Sequence, residues 1–354
     1  MGSTGTGSTG TGSTGAVTTR ITVLQSLSAP DGTTRYVNQV VEGAPDAVTM
    51  RFFTWRTALL GRYDVLHVHW PELLIRAPRP LKAKLRRAAL YALLLRARLQ
   101  RIPIVRTMHN LTPHEAGQNA ETRALEALDA RTALVIRLNP TTPVEPESKA
   151  VTILHGHYRD RFAGMPLPDS VPGRILYFGL IRPYKGVETL LQVFRSVPGA
   201  DLTLRIVGRP SSGLGAVITA EQAEDERISS VLRFVSDEEL VVEVGEAELV
   251  VLPYREMHNS GVLLVTLSLD RPVLVPSTPS NLALAEEVGP DWIYLYEGEL
   301  TPLILRHTLE RMRAAGSRPR PHLDGRDWKT LGLQSYGTYL RALQLTGRPR
   351  RSIR

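Results

Sequence analysis

Arg174-Ile175-Leu176-Tyr177-Phe178-Gly179-Leu180-Ile181-Arg182-Pro183-Tyr184-Lys185-Gly186-Val187-Glu188-Thr189-Leu190-Leu191 is the stretch on which the fold turns. The apolar run from Ile175 to Phe178 reads as a buried strand, the basic segment after it as a turn, and Val187 onward as the start of a helix. Gly179 lets the backbone turn tightly, and Arg182 and Lys185 bring positive charge. A helix starting near Gly186 points free N–H groups and its positive dipole end into the same space. That layout suits a diphosphate. The same residues also fit an ordinary strand, turn and helix whose Arg and Lys are solvated.

Working outward, short β-branched runs alternate with longer helical patterns. Arg20 to Gln25, Val65 to His69, Ile104 to Met108, Ala133 to Leu138 and Val151 to Leu154 read as strands in the first half. Ile175 to Phe178, Leu202 to Val207, Val231 to Phe234, Leu249 to Leu252, Val273 to Val275 and Ile293 to Tyr296 repeat the scheme in the second. Such alternation predicts an α/β protein with two doubly wound parallel sheets. The Pro/Gly-rich segment Ala163 to Gly173 divides the halves as a hinge, which places a ligand crevice between the strand carboxyl ends of both. Residues Trp328 to Leu345 read as a final helix.

The phosphate turn resembles the start of the C-terminal domain in GT-B glycosyltransferases, where a strand, the pattern G-x-x-x-x-x-K-G and a helix grip the donor nucleotide's phosphates; Gly179, Lys185 and Gly186 match it. The resemblance implies a GT-B fold, two Rossmann-like domains facing a cleft. It implies an acceptor domain over residues 20–165, a nucleotide-sugar domain over 170–327, and a helix over 328–345 that crosses back to the first domain.

Composition agrees. The 354 residues suit two domains, and 42% hydrophobic residues can fill two cores. No apolar run approaches the ~20 residues that span a bilayer, and the N-terminus lacks the basic-then-apolar order of a signal peptide, so a cytoplasmic or peripheral protein is expected. With no Cys, disulfides, thiolate metal sites and Cys nucleophiles are excluded. Residues 1–19, rich in a Gly-Ser-Thr repeat, read as a disordered tail or linker. The net charge of +8 is uneven: Arg76, Arg79, Lys82, Lys84, Arg86, Arg87, Arg96, Arg98 and Arg101 crowd a segment whose Leu81, Leu85, Tyr91, Leu93, Leu94 and Leu95 recur at mostly helical spacing. Residues 76–101 thus predict either a cationic amphipathic helix for an anionic membrane surface, on its inner face, or a helix packed on its sheet with a solvated basic side. Nucleic acid is not expected as a partner, because no aromatic-rich recognition motif accompanies the charge.

Several loops fall at the cleft edge. Asp31, in Pro30-Asp31-Gly32, follows the first strand, where several inverting GT-B relatives carry the catalytic base; Pro-Asp-Gly is also a plain turn, and an Asp before a helix is often a cap. Thr107-Met108-His109-Asn110-Leu111-Thr112-Pro113-His114-Glu115 resembles the family's T-x-H-D/N segment, which implies sugar contact for His109 and Asn110 and offers His114 and Glu115 as proton carriers. His155-Gly156-His157 resembles the turn that closes the first domain, and either His can meet the sugar or phosphate or have no role. His67 and His69 alternate on one strand, as core residues near the cleft floor. His-x4-His with one Glu matches no strong zinc spacing, so no metal site is expected.

Pro253 to Val262 resembles the family's donor loop, with Glu256 followed by Asn259, Ser260, Gly261 and Val262 at a small-residue turn whose amides bind phosphate. Retaining members carry E-x7-E here. Met257 and Val265 occupy those places in this chain, with Glu256 one position off, which favours an inverting enzyme similar to the bacterial β-mannosyltransferases that assemble exopolysaccharide repeats on a lipid carrier. The resemblance therefore implies hexose transfer, GDP-mannose being the first choice of donor, to a glycan or lipid-linked acceptor without a cofactor. The chain has no Asp-x-Asp that would demand Mg²⁺. A nucleotide-sugar epimerase of the same fold and a non-catalytic nucleotide-sugar binder are the competing readings.

Overall fold

The computed structural model describes residues 19–30, 35–110, 119–255, 257–316 and 318–348. Its first half runs β1 (Ile21–Gln25), α1 (Arg35–Glu42), β2 (Val48–Phe52), α2 (Trp55–Leu60), β3 (Val65–Val68), α3 (Pro71–Ile75), α4 (Pro80–Leu99), β4 (Ile104–Met108), α5 (Asn119–Arg131), β5 (Thr132–Arg137) and β6 (Ala150–Thr152). The second half runs α6 (Arg159–Phe162), β7 (Arg174–Phe178), α7 (Val187–Arg195), β8 (Thr203–Val207), α8 (Leu214–Glu224), β9 (Ile228–Val231), α9 (Asp237–Gly245), β10 (Leu249–Val251), α10 (Gly261–Ser268), β11 (Val273–Pro276), α11 (Pro279–Val288), β12 (Ile293–Tyr296), α12 (Pro302–Ala315) and α13 (Trp328–Leu345).

Two six-stranded sheets result, ordered β2-β1-β3-β4-β5-β6 and β12-β11-β10-β7-β8-β9. Every neighbouring pair is parallel. Helices cover both faces, so central strands such as β3 and β10 are buried at every residue, and β10 reads as a continuous apolar run. The strand order reverses between β1 and β3 in one sheet and between β7 and β10 in the other, and a crevice opens outside the strand ends at each reversal.

Two strands depart from the sequence reading. β2 was not expected at all: it lies on the sheet edge, only half-buried, and its Thr49 and Arg51 break the apolar run. The other edge strand, β9, covers Ile228–Val231 rather than Val231 to Phe234, because Ser229 and Ser230 are tolerated at an edge while the more apolar Phe234 stands exposed in the following loop.

Helix α13 crosses back onto the first sheet. Trp328, Leu331, Tyr339 and Ala342 share one core with Ile21, Val23, Val65 and Leu134. It meets α1 where two glycines touch: a Cβ on Gly332 would stand 1.8 Å from the Gly43 carbonyl oxygen. Ahead of the second sheet, Tyr158 and Phe162 already belong to the apolar core of the second half. The segment after them lies along that half, with Val171 N–H donating to the Glu246 carbonyl and Arg271 to that of Pro168.

Candidate active site

The second switch point is built from the loops after β7 and β10, which are fastened to each other. Arg255 N–H donates to the Tyr184 carbonyl at 2.9 Å. Gly186 has φ +66°, and a Cβ there would lie 2.2 Å from the Pro253 carbonyl oxygen, so only glycine lets the loops close up. Between them opens a cleft of about 520 Å³, lined among others by Tyr184, Lys185, Tyr254, Ser260, Gly261 and Val262. That size suits a nucleotide-scale ligand, for which roughly 300–1,000 Å³ is usual.

Positive charge concentrates here. Lys185 Nζ stands 4.7 Å from the centre of the Tyr254 ring and 3.9 Å from where a side chain on Gly179 would begin. Burial, with the Arg182 charge adding to it, pulls the ammonium down to about 8. Helix α7 starts at Gly186 with no side chain capping it, so its first-turn amides keep their hydrogen-bonding capacity. Helix α10 is capped by Ser260, whose Oγ accepts from Leu263 N–H at 3.3 Å, and its first residues line the cleft. Arg182 turns elsewhere: its guanidinium donates to the Ile181 carbonyl at 2.8 Å and is not among the lining residues. The buried hydroxyl of Tyr254 finds no hydrogen-bond partner among the described residues.

Asn259, expected at the diphosphate, instead commits its side chain to the first domain. Its Nδ2 donates to the His109 carbonyl at 2.9 Å, and its Oδ1 accepts from Asn139 Nδ2 at 2.6 Å. Beside it, His258 Nε2 lies 2.7 Å from Thr142 Oγ1 and 3.5 Å from Asn139 Nδ2. The loop after β10 therefore holds the two domains together. Asn110 reaches the cleft from the first domain.

At the ends of β3 and β4 the imidazoles form a buried ladder. His69 Nε2 lies 3.0 Å from Gln25 Oε1, an acceptor, so it carries the proton; His69 Nδ1 then accepts from His109 Nε2, also at 3.0 Å. His67 bridges Tyr339 Oη and Thr107 Oγ1, each at 2.8 Å, as a core residue. Burial holds all of them neutral, His67 at about 3 and His69 and His109 well below the ordinary value. Trp70 stacks on His109 with ring centres 4.0 Å apart.

His155 reaches an interdomain cavity of about 260 Å³ with His258, Ser260 and Arg326, and burial lowers it to about 4. His157 does not reach either cleft; its carbonyl accepts the Trp328 indole N–H at 2.6 Å. A Cβ on Gly156 would stand 2.4 Å from the Trp328 ring, so this turn is the seat of α13. Arg326 completes the joint, donating to the His155 carbonyl at 2.7 Å and pairing with Glu287. Asp31, His114, Glu115 and Glu256 lie outside the described residues.

The sequence reading missed Tyr184, Tyr254, Asn139, Thr142, Trp70, Thr278 and Ser280. Only the last two carried a local signal: Thr278-Pro279 after β11 is a cap followed by Pro at a helix start, at a strand end that has to face the cleft.

Two parallel six-stranded sheets with a cationic, nucleotide-sized cleft at the strand ends are the architecture of the GT-B class. No family model matches the sequence. Solved structures share the fold: Anabaena HepE in complex with UDP-glucose (TM-score 0.60, 13% identity, 93% of this chain and 98% of that one) and a Rickettsia africae glycosyltransferase (TM-score 0.56, 14% identity, 93% and 96%). Two proteins of Xanthomonas campestris pv. campestris, both named GDP-mannose:glycolipid 4-beta-D-mannosyltransferase, are 50% and 49% identical over 334 residues, covering 94% of this chain and 95% of each of theirs. The chain belongs to that family of mannosyltransferases.

Proposed function

We propose that this protein transfers mannose from GDP-mannose to a glycolipid with inversion at the anomeric carbon. Lys185, buried against Tyr254 between two helix starts, is the observation that carries the donor site. The donor of the similar Xanthomonas enzymes is GDP-mannose by name and their product is β-linked. Because the sugar of GDP-mannose is α-linked, a β product requires in-line attack from the opposite face. The departing diphosphate needs positive charge, which Lys185 and the amides of α7 and α10 supply without a bound metal. Arg182 sets the Lys185 charge from the side.

A base must take the acceptor's proton. Asp31, His114 and Glu115 are the candidates, with ~10²- to 10⁴-fold in rate resting on the right one. His109 and Asn110 are assigned to the sugar. The buried imidazole ladder suits His109 to hydrogen bonding rather than proton removal, since its ring is held neutral far below the working pH. The acceptor is met at an anionic membrane surface on the cytoplasmic side, and nucleic acid is no partner. Among the described residues no helix is long and apolar enough to cross a membrane. Helix α4 carries Leu81, Leu85, Leu95 and Leu99 outward among its basic residues.

The test is a thermal-shift panel of GDP, UDP, ADP and TDP with their sugars, followed by product analysis with GDP-mannose and membrane glycolipid. GDP at 100-fold its dissociation constant should stabilise by about 2.7 kcal/mol, and Lys185→Ala should remove most of the shift. A shift with another nucleotide alone, or an α-linked product, overturns the reading.

A further inference from the structure

Three neighbouring strands of the first sheet end in one row of buried polar side chains: Gln25 closes β1, His69 follows β3 and His109 follows β4. Gln25 settles which way the protons point along this row. Its Nε2 faces the Met50 sulfur at 4.0 Å and the Tyr339 hydroxyl at 3.5 Å. A thioether has no proton to give, so the NH₂ end of the amide belongs there and the carbonyl end faces His69. Oε1 can only accept, so His69 carries its proton on Nε2 and presents a bare Nδ1 to His109. His109 in turn carries its proton on Nε2, and its Nδ1 keeps a lone pair. The second arm agrees: Tyr339 accepts from Gln25, its own proton goes to His67 Nδ1, and His67 Nε2 donates to Thr107.

The ring of His109 is fixed on its other sides as well. Trp70 stacks on it at 4.0 Å, and Tyr36 meets it edge to face at 4.9 Å. Trp70 has φ 39° and ψ 65°, left-handed backbone that a bulky aromatic residue adopts only where its surroundings impose it, and strain of this kind gathers at functional sites. Burial keeps His69 and His109 neutral, so the lone pair persists at working pH. The two nitrogens of an imidazole lie on opposite sides of the ring, so Nδ1 of His109 faces away from His69. It has no hydrogen-bond partner among the described residues. The carbonyl of the same residue accepts the Asn259 amide from the loop after β10, and Asn110, next in sequence, lines the donor cleft.

We propose that Gln25 and His69 are positioning residues that hold His109 in a single tautomer, and that its Nδ1 accepts a hydrogen bond from one hydroxyl of the transferred sugar. A neutral acceptor with no proton to offer selects a sugar that keeps this hydroxyl over its deoxy counterpart. The assignment rests on the sugar role given to His109 above, and adds to it the nitrogen used, its protonation and the two residues that set them.

Nitrogen NMR of the full chain carrying ¹⁵N-labelled histidine reads the tautomers directly, with spectra of His69→Gln and His109→Gln assigning the two rings. Both rings should carry the proton on Nε2; an Nδ1–H form at either one overturns the proposal. Gln25→Leu removes the acceptor at the root of the row, and His109 should then populate both forms. In that variant kcat with GDP-mannose should fall about tenfold, the worth of one hydrogen bond, while stabilisation by GDP stays at the wild-type level and reports an intact fold. The wild type should use at least one monodeoxy analogue of GDP-mannose about tenfold less well in kcat/KM, and Gln25→Leu should lose most of that preference. Tautomers unchanged in Gln25→Leu, or an equal loss of kcat/KM against every donor, would make Gln25 a structural residue only and overturn the proposal. The spectrum needs no donor: if the wild type transfers no mannose, the transferase reading fails, and the tautomers still decide whether Gln25 and His69 position His109.

Discussion

Lys185 is held as a cation in a place that already weakens its charge, and its response to pH follows from that. Burial and the neighbouring Arg182 lower it to about 8, so in the free protein it is charged below that pH and neutral above it. A diphosphate beside it favours the charged form and raises its pKa, so binding above pH 8 takes up a proton. GDP affinity is therefore expected to be level below about pH 8 and to fall by up to about tenfold per pH unit above it. Calorimetry in buffers of different ionisation enthalpy measures the proton directly; a slope that survives in Lys185→Ala contradicts the assignment. Gly186 makes a steric demand instead. Alanine there keeps a left-handed φ of +66° and drives its Cβ to 2.2 Å from the Pro253 carbonyl oxygen, so the two loops have to separate. Gly186→Ala should cost at least ~1–2 kcal/mol in urea unfolding, and it should weaken GDP binding beyond what Lys185→Ala does, because the α7 amides move too.

At the level of elements, α4 packs on the core as one of its two sequence readings expected, and it leaves a second apolar row exposed. Leu90, Leu93, Leu94 and Ala97 face the core, while Leu81, Leu85, Ala88, Ala92, Leu95 and Leu99 recur every three or four residues on the exposed side. The helix is apolar on two faces with basic residues between them, which a choice between membrane helix and core helix did not allow for. Leu95→Gln with Leu99→Gln should reduce co-sedimentation with anionic vesicles several-fold, leave wild-type GDP stabilisation intact, and add to the effect of high salt. Unchanged sedimentation would remove α4 from the membrane contact. The same contrast between local and remote causes explains what the sequence revealed. β7, Gly179 and Gly186 were legible because a strand, a turn and a helix start leave their marks within a dozen residues. β2 and β9 were not, since edge strands tolerate Arg51, Ser229 and Ser230 where buried strands do not. Nor was the reach of Asn259 to Asn139, 120 positions away, or the Tyr254 ring under Lys185, because both depend on how two loops meet.

For the whole molecule, the joint between the domains and the fold's response to acid both rest on neutral, hydrogen-bonded groups. Asn139→Ala removes a bond to the donor loop from outside the donor cleft, and it should leave GDP stabilisation unchanged while lowering transfer by about tenfold, the worth of one hydrogen bond to a polar partner. Acid acts more widely. Buried His67 and His155 bind their protons only near 3 and 4, and His69 and His109 are lowered in the same direction, whereas all four titrate near 6.5 once the chain unfolds. Between those values the unfolded chain holds more protons than the folded one, so stability rises with pH across the window and is lost as pH falls from about 6.5 toward 4. At pH 5 each such histidine costs roughly 2 kcal/mol, so His67 and His155 together cost roughly 4 out of a typical total of 5–15 kcal/mol, before His69 and His109 are counted. The protein should therefore be markedly less stable at pH 5 than at pH 7, with the first domain the more affected because His67, His69 and His109 lie at its strand ends. Urea titrations at pH 7, 6 and 5 measure the slope, and His67→Gln, which keeps a polar partner for Tyr339, should flatten it by about a quarter if the four contribute equally. A slope unchanged in that variant would place the acid sensitivity outside the histidine ladder.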